Sequence, residues 1–600
     1  MTTMTDTLET TPSATDTAAR GPIPLAPGAA RLLIAAGAVG TIASTFLSWT
    51  WTPDFPGNLT VYGYPAGLQT LALVAGALTL LYGLTLWNVP GLRQLNPRNA
   101  TTPIFFAALS AFAVCWFTGI AIAVDLGGLV NLDPGAFVAM AASALPVIGA
   151  LALPHPAPGH GLRGYLAKPD QPRPRTLTPL VERAIITAGT LLALVVFTYG
   201  IGINDDDSET FLGFLLVVVF IAWALIHAGL VDTYATISTR HKGFATTLAF
   251  AAAVIFPFTQ TNDHNANIGV NILIFATVAL GLNIVVGLTG LLDLGYVAFL
   301  GVGAYAAALV SGSEYSPFQV HFGFWAAALT GMAASLVFGV LIGGPTLRLR
   351  GDYLAIVTLG FGEIFRITVN SLDGDSGPNI TRGPNGITQI PDIDIKILGF
   401  NLGDAHNIGG FTLGRFANYL FLMLIITAIV VLVFTRAADS RIGRSWIAIR
   451  EDETAATAMG INGFRVKLIA FALGASLAGL AGTVMAHVNY SVNPQPYMFA
   501  GAAPPNSAFL LAAVVLGGMG TVSGPLLGAS LLYLIPEKLQ FLQNYELLAF
   551  GVALVLLMRF RPEGIIANRR RQLEFHEADQ IDIPDQKTLP DEPAVSKAGA

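Results

Sequence analysis

The chain of 600 residues is 53% hydrophobic and only 11% charged, with 31 Lys and Arg residues against 37 Asp and Glu residues. Soluble proteins are about a quarter charged, whereas apolar runs of roughly 20 residues are what a bilayer requires. The composition therefore excludes a soluble enzyme, a nucleic-acid-binding protein and a coiled coil. It predicts an all-α polytopic membrane protein.

The apolar runs divide the chain into five predicted regions. Residues 1–30 are rich in Thr, Ala and Pro and are expected to form a disordered tail. Four runs predict an accessory four-helix membrane domain over 31–153, and a Pro-rich cytoplasmic linker over 154–182 leads to a larger membrane core over 183–566. A charged cytoplasmic tail follows over 567–600. The runs predict about 14–16 transmembrane segments, near 31–49, 63–88, 102–124, 134–153, 183–202, 211–231, 243–259, 268–290, 291–311, 322–345, 352–370, 417–435, 468–488, 506–538 (broken) and 546–560.

The positions of the basic residues predict the orientation of the chain. If the N-terminus is cytoplasmic, one basic residue lies within a span and only four lie in outer segments, which leaves 26 of the 31 on the cytoplasmic side. Cytoplasmic loops of membrane proteins carry an excess of Lys and Arg. The distribution therefore predicts that both termini are cytoplasmic. The five exceptions are Arg366 in a span and Arg382, Lys396, Arg415 and Lys538 outside.

The stretch 268–311 is apolar almost throughout but is interrupted by Gly287, Gly290, Asp293 and Gly295. Broken, glycine-rich membrane helices occur where protein shields non-helical backbone or where that backbone lines a cavity. The glycines are equally consistent with close helix packing. Asp293 lies near the cytoplasmic face, where a cap or interface role and a pathway role are both open.

Two charged residues interrupt the span that starts at Asp352. Glu363 lies eleven residues further on, which is about 16 Å along a helix and near mid-membrane. Glu363 and Arg366 are spaced i,i+3 and are expected to pair on one helix face. Charged residues at this depth usually face the bundle interior or a wet pathway. The sequence leaves open whether the pair locks helices together or contacts substrate.

The inner loop Ala437–Lys467 has basic residues at both ends and predicts a helix over Ile447–Met459 that ends at Gly460. Such a helix at the membrane face suits docking to a soluble partner or resting on lipid headgroups. In the following span, Gly474, Ala478 and Gly482 form a small-residue face that predicts close helix packing.

The stretch 506–538 is interrupted by the glycines Gly517, Gly518 and Gly520. Each half has about 13 residues, or roughly 20 Å of helix, which is short of the roughly 30 Å hydrocarbon core. The sequence predicts either a re-entrant hairpin or two crossings.

The chain has no phosphate-binding P-loop, one cysteine (Cys115) and no metal-ligand spacing among its histidines, so we expect no metal or cofactor in it.

Six runs in these segments are similar to a known family: Leu280–Gly287, Gly290–Gly303, Leu347–Ile364, Gly383–Ile387, Gly443–Lys467 and Val515–Gly520. They resemble the LivM-type permease of ATP-binding-cassette (ABC) importers for branched-chain amino acids, and the resemblance covers about residues 243–566.

The resemblance implies a transport subunit, not an enzyme, in a bacterial plasma (inner) membrane. Its partners would be a second homologous permease, two ATPase subunits that bind ATP and Mg²⁺, and an extracytoplasmic solute-binding protein. The expected translocation-path residues are Asn283, Asp293, Glu363 and Arg366. The loop Gly443–Gly460 would dock the ATPase, with Arg444, Arg450, Glu451, Asp452, Glu453, Ala455, Ala456 and Gly460 as its candidate residues.

The chain departs from the family pattern in three places. The docking signature Glu-Ala-Ala-x-x-x-Gly is here Thr454–Gly460, with Glu453 displaced by one position. The outer loop near Pro494–Asn506 lacks the usual acidic residue and is longer. The first 180 residues or so exceed the family core. Urea, short amides or another small polar solute remain alternative substrates, and an ion-coupled secondary transporter is a less favoured alternative.

Overall fold

The computed structural model describes residues 22–51, 67–87, 89, 91–98, 100–153, 165, 177–260, 262–349, 351–395, 400–408, 411–501, 506–539, 545–560 and 564–566. Most of the N-terminal tail, most of the Pro-rich linker and the C-terminal tail lie outside these residues. The chain forms two compact units. Unit 1 comprises Met1–Asn271, Ile395–Ile425 and Tyr533–Glu546, and unit 2 comprises Ile272–Asp394, Ile426–Leu532 and Leu547–Ala600.

Unit 1 begins with four apolar helices that pack through small residues. Close approach is visible where α1 meets α4, because a methyl group added at Gly37 would overlap the Pro146 side chain, and one added at Gly149 would lie 2.8 Å from the Ala30 carbonyl. A core cluster joins these four helices to α6. The helices are α1 (Pro27–Ser44), α2 (Leu68–Leu84), α3 (Thr102–Asp125), α4 (Pro134–Leu151), α5 (Pro179–Gly202), α6 (Ser208–Ala228), α7 (Leu230–Arg240) and α8 (Lys242–Ile255).

Charged side chains connect the helix ends in unit 1. Arg98 donates to the Ile226 carbonyl at the end of α6 at 2.7 Å and pairs with Asp232 at 2.6 Å. Buried Lys538 donates to the Ile203 carbonyl at 2.6 Å and to Asp205 at 2.7 Å. These contacts add charged donors to carbonyls near the C-termini of α6 and α5, where intrahelical donors run out.

Unit 2 is built around α16, which packs against α10 and α11. The predicted small-residue face makes this packing possible: a methyl group at Gly482 would overlap the Leu300 carbonyl, and one at Gly474 would lie 3.1 Å from the Gly281 carbonyl. Helix α9 starts in unit 1 and continues into unit 2, as does α13. The remaining helices are α9 (Asp263–Asn283), α10 (Val297–Val310), α11 (Phe324–Thr346), α12 (Asp352–Ser371), α13 (Arg415–Asp439), α14 (Arg441–Glu451), α15 (Glu453–Ala458), α16 (Gly463–Val488), α17 (Ser507–Gly517), α18 (Ser523–Lys538) and α19 (Glu546–Phe560).

Short strands occupy the connections between these helices. In unit 2, β1 pairs antiparallel with β6, with Ile387 opposite Val492. In unit 1, β4 pairs antiparallel with β5. The strands are β1 (Ile387–Thr388), β2 (Asp394–Ile395), β3 (Phe400–Asn401), β4 (His406–Ile408), β5 (Phe411–Leu413) and β6 (Ser491–Val492).

Among the described residues, 12 helices are long and apolar enough to cross a membrane: α1–α6, α8 with the 3-10 turn that extends it to Thr259, α9, α11, α12, α13 and α16. The chain is thus a mostly helical, multi-pass membrane protein. The prediction of about 14–16 segments also includes three apolar runs that form four shorter helices. Helices α10, α17, α18 and α19 have 14, 11, 16 and 15 residues, whereas a straight crossing needs about 20.

Candidate functional site

The helix break predicted near Gly287 begins with a π-helix. Helix α9 ends at Asn283, residues Ile284–Leu288 form one π-helical turn, and α10 starts only at Val297. A π-turn widens the hydrogen-bond pattern and leaves backbone carbonyls available to other donors, and such turns are frequent at functional sites. We call Ile284–Leu288 the π segment.

Asn283 joins the π segment to the turn between α17 and α18. Its side chain is fully buried. The Oδ1 atom accepts from the Gly520 amide at 2.8 Å, and Nδ2 donates to the Thr521 carbonyl at 2.7 Å. A methyl group at Gly287 would overlap Asn283 Oδ1. Asn283, Gly287 and Gly520, three residues predicted separately, therefore meet at one point.

Arg450 of α14 reaches the same segment from the inner loop. Its Nη1 donates to the Gly287 carbonyl at 2.7 Å, and its side chain is only 17% exposed. Gly290 allows this approach, because it has a φ of +72° and a methyl group there would lie 2.8 Å from Arg450 Cγ. Arg450 is thus an internal contact, although the sequence places it among the docking residues.

Asp293 lies in the interface between the break and α12. It is 1% exposed, and its Oδ1 accepts from the Gly295 amide at 2.9 Å, while Oδ2 has no hydrogen-bond partner among the described residues. The next amide, that of Leu294, donates to Thr358 Oγ1 at 3.1 Å. A methyl group at Gly295 would overlap the Thr358 carbonyl. Of the two roles that the sequence leaves open, this geometry fits the cap and interface role.

The turn between α17 and α18, residues 518–522, depends on glycines. Gly518 and Gly520 have φ values of +123° and +75°, where residues with side chains are strained. A methyl group at Gly517 would overlap the Gly524 carbonyl, and one at Gly528 would overlap the Ala513 carbonyl. The two helices therefore lie side by side, running in opposite directions. The amide of Ile565 also donates to the Leu516 carbonyl at 2.8 Å.

Glu363 and Arg366 form the predicted i,i+3 pair, with 2.8 Å between Oε2 and Nε. Their side chains are 37% and 31% exposed in this chain. They lie beside the open face of α12, which carries exposed Tyr353, Ile356 and Ile364. The pair is therefore not locked between helices of this chain.

The inner loop forms two helices where the sequence predicts one over Ile447–Met459. Helix α14 ends at Glu451 and α15 starts at Glu453, because Asp452 has extended backbone angles and caps α15. Its Oδ1 accepts from the amides of Thr454 at 2.7 Å and Ala455 at 2.9 Å. The predicted single helix is thus wrong, since Asp at an N-cap is more favourable than Asp inside a helix. Gly460, with a φ of +87°, ends α15 as predicted.

Two contacts hold the loop helices to α16. Trp446, 1% exposed, donates through Nε1 to the Val466 carbonyl at 2.8 Å. Glu453 pairs with the buried Lys467 at 2.7 Å. Ala456 is buried as well. The candidate docking residues that remain exposed are Arg444, Glu451, Asp452, Ala455 and Gly460.

The sequence prediction missed an apolar contribution to this exposed face. Met459 at the end of α15 is 85% exposed, Phe464 is 42% exposed and Ile442 is 40% exposed. A large apolar residue beside the glycine that ends a short polar helix was the available signal. Exposed apolar groups on a loop between membrane helices are typical of protein interaction sites.

The loop that follows α12 is ordered by local hydrogen bonds. Asp373 Oδ1 accepts from the Ser376 amide at 2.8 Å and from the Asp375 amide at 3.0 Å, and these donors lower the pKa of the Asp373 carboxyl. The Arg382 guanidinium lies 4.3 Å from the centre of the Tyr315 ring. The longer loop predicted near Pro494–Asn506 falls partly outside the described residues, because 502–505 are not among them.

Comparison with known proteins identifies the family. The family described as branched-chain amino acid transport system / permease component matches residues 265–558. The high-affinity branched-chain amino acid transport system permease protein LivM of Escherichia coli (strain K12) is 40% identical over 338 residues, which cover 54% of this chain and 74% of that protein. LivM of Salmonella typhimurium is 39% identical over 337 residues, with the same coverage. This chain belongs to the LivM-type branched-chain amino acid permease family.

A second type of permease is also similar. LivH of Salmonella typhimurium is 23% identical over 301 residues, which cover 49% of this chain and 91% of that protein. No solved structure matches the chain. The π segment, the turn 518–522 and the loop helices lie within the part that matches the permease family, whereas α1 to α8 precede it.

Proposed function

We propose that this chain is the transmembrane permease subunit of an ABC importer for branched-chain amino acids. It works with a second homologous permease, two ATPase subunits and an extracytoplasmic solute-binding protein in the bacterial inner membrane. Membership of the LivM-type family supports the class. The observation that carries the ATPase coupling is the loop-helix pair α14–α15, which is attached to the membrane helices on one side and exposed on the other.

The docking surface for the ATPase is the exposed side of this pair. It combines the apolar side chains of Met459 and Ile442 with the cationic side chain of Arg444. A helix that rests on lipid buries its apolar side chains in the membrane surface. In α14 and α15 the apolar side chains of Trp446 and Ala456 are instead buried within this chain. The exposed side of the pair is therefore better suited to a protein partner than to lipid.

The translocation path runs along the open face of α12. Glu363 and Arg366 are each about one-third exposed, and a charge at the bilayer centre costs roughly 2.5–3.5 kcal/mol by insertion scales. Lipid is therefore an unfavourable surrounding for the Glu363–Arg366 pair. A water-filled path or a contact with the second permease is a favourable one. The ion pair would then line the path between the two permeases.

The topology proposed for the chain has both termini in the cytoplasm, as the basic residues indicate. Helices α17 and α18 then enter and leave the membrane on the same side as a re-entrant hairpin. Their lengths of 11 and 16 residues correspond to about 16 Å and 24 Å, less than the roughly 30 Å core.

The test is reconstitution in proteoliposomes with a second permease, an ATPase and a binding protein from the same genome. We expect uptake of leucine, isoleucine or valine that requires internal ATP and persists when ion gradients are collapsed. Uptake without ATP, abolished by an ionophore, would support a secondary transporter instead. Competition by urea or acetamide but not by leucine would assign the alternative substrates.

Docking has its own test. Met459→Glu is expected to prevent co-purification of the ATPase, because it places a charge in an apolar contact. Val130→Glu is the matched control, since Val130 is 94% exposed in the loop before α4, outside the proposed docking surface. Equal ATPase recovery from both variants would contradict the docking assignment.

A further inference from the structure

The π segment is held from two sides by groups that are far away in the sequence. On one side, Arg450 of the loop helix α14 donates to the Gly287 carbonyl at 2.7 Å. On the other side, the Asn283 side chain holds the turn 518–522 through Gly520 and Thr521, at 2.8 Å and 2.7 Å. The loop helix and the turn thus contact the same short stretch, residues 283–287, where α9 passes into the π segment.

Each of these contacts is well suited to transmit a displacement. The Arg450 side chain is 17% exposed and donates to a carbonyl that a π-turn leaves available. Asn283 is fully buried and uses both a donor and an acceptor, so it fixes the turn in two directions. A methyl group at Gly287 would lie 2.5 Å from the Gly520 amide nitrogen, so the π segment and the turn touch directly.

The structure shows this segment in its π form. A π-turn differs from a regular α-helix by one inserted residue, so a shift in hydrogen-bond register would give the second form. Coupling between distant sites requires an element with two discrete arrangements that both sites bias. The π segment lies where both sites can bias it, with Arg450 on its carbonyl side and Asn283 joining it to the turn.

We propose that Arg450 and Asn283 are positioning residues that link the loop helix α14 to the turn 518–522 through the π segment. Movement of α14 then shifts the turn and α18. This proposal rests on the proposed function for its ATP-dependent readouts. Both side chains make internal contacts, Asn283 being fully buried and Arg450 17% exposed, and their effect is on how strongly ATP hydrolysis is tied to transport.

The first test measures substrate molecules transported per ATP hydrolysed in the reconstituted importer. Arg450→Gln and Asn283→Leu are expected to lower this ratio about 2- to 30-fold, the range of coupling changes seen for residues between sites. Arg450→Lys, which keeps a cationic donor, is expected to retain most of the ratio. The double variant should be no worse than the worse single variant, because both changes interrupt one connection.

Two matched controls separate coupling from general damage. Arg465→Gln removes the same charge from an exposed position of α16. Thr277→Val removes a buried hydrogen bond of the same helix α9, the 2.9 Å contact with Thr427. Both controls should keep the wild-type ratio. Additive losses in the double variant, or an equal loss in the controls, would overturn the proposal.

The second test follows the turn itself by thiol labelling. Cys115 is the one cysteine of the chain and is buried. Cys115→Ala therefore gives a cysteine-free background, in which Ser523→Cys places a single thiol at the exposed start of α18. We expect its labelling rate to differ between the nucleotide-free and ATP-trapped importer. That difference should disappear in Arg450→Gln and in Asn283→Leu, and its persistence in either variant would overturn the proposal.

Hydrogen exchange on the isolated full-length chain distinguishes this proposal from the proposed function. The amide of Gly520 is protected by Asn283, so Asn283→Leu should increase its exchange directly. Arg450→Gln should increase exchange at 518–522 as well, although the Arg450 guanidinium donates to the π segment and not to the turn. If wild-type uptake proves independent of ATP while this increase is seen, the proposed function fails and the connection stands. An unchanged turn in Arg450→Gln would overturn the connection.

Discussion

Replacing Glu453 by Gln is expected to loosen the loop helices because it leaves the Lys467 ammonium without its ionic partner. The Lys467 side chain is 5% exposed and that of Glu453 is 33% exposed, with 2.7 Å between Nζ and Oε1. Breaking a fully buried ion pair costs about 3–5 kcal/mol, whereas an exposed pair contributes about 0.2–1 kcal/mol. Since one partner is partly exposed, we expect Glu453→Gln to cost about 1–3 kcal/mol.

Glu453→Gln is expected to loosen only the loop helices and their junction with α16. The assay is therefore hydrogen exchange of residues 441–466 in the purified chain. A cost of about 1–3 kcal/mol corresponds to about a 5- to 150-fold larger opening equilibrium. Adding Lys467→Met to Glu453→Gln should return most of the protection, because the unpaired buried charge is then gone. Glu451→Gln is the control, since the Glu451 carboxylate is 52% exposed and 3.7 Å from Arg450. Unchanged exchange in Glu453→Gln, or no recovery in the double variant, would refute this reasoning.

Three further substitutions probe packing and hydrogen bonding. Gly482→Ala should lower the stability of the purified protein by about 1–3 kcal/mol, because the new methyl group overlaps the Leu300 carbonyl; a lower Tm would report this. Arg98→Ala should cost about 1.5–3 kcal/mol, because it removes a charged donor from the end of α6, and α6 should exchange faster. Trp446→Phe should cost about 0.5–1.5 kcal/mol through loss of the bond to Val466, seen as faster exchange in α14.

The first two of these substitutions have a control within the chain. Gly243→Ala adds a methyl group in open space within α8 and should leave the Tm unchanged or slightly higher. Arg240→Ala removes the pairing with Glu182 but should leave the exchange of α6 unchanged. A Tm loss for Gly243→Ala as large as that for Gly482→Ala would contradict the packing argument, and faster exchange of α6 in Arg240→Ala would contradict the local role of Arg98.

Local patterns predicted several parts of the site from the sequence. The break in 268–311 lies at the predicted glycines because a π-turn followed by non-helical backbone leaves little room for side chains. Glu363 and Arg366 pair because their i,i+3 spacing puts them on one helix face. The small residues at Gly474 and Gly482 lie where helices approach closely. In each case the sequence pattern that predicts the feature lies within a few residues or on one helix face.

Other parts could not be predicted because they depend on long-range contacts or on competing local preferences. The partner of Asn283 lies 238 residues away in the sequence, and no periodicity specifies that pairing. The division of the loop helix at Asp452 follows from competition between two favourable states, since a run of strong helix formers favours one helix and an Asp side chain favours an N-cap. The lengths of the helices in the apolar runs 291–311, 506–538 and 546–560 could not be predicted either, because apolar composition does not by itself set helix length.

The basic residues of the inner loop show why charge alone describes the docking surface incompletely. The cluster comprises Arg436, Arg441, Arg444, Arg450, Arg465 and Lys467. Three of the six have internal partners, since Arg450 donates to the Gly287 carbonyl, Lys467 pairs with Glu453, and the exposed Arg444 donates to the Asp439 carbonyl at 3.3 Å. The surface offered to a partner is therefore less basic than the sequence suggests, and exposed Met459 makes it more apolar. On the proposed function, the ATPase should present an apolar pocket for Met459 with a carboxylate near Arg444. Salt should consequently weaken its association only modestly, because an apolar contact is not screened by ions.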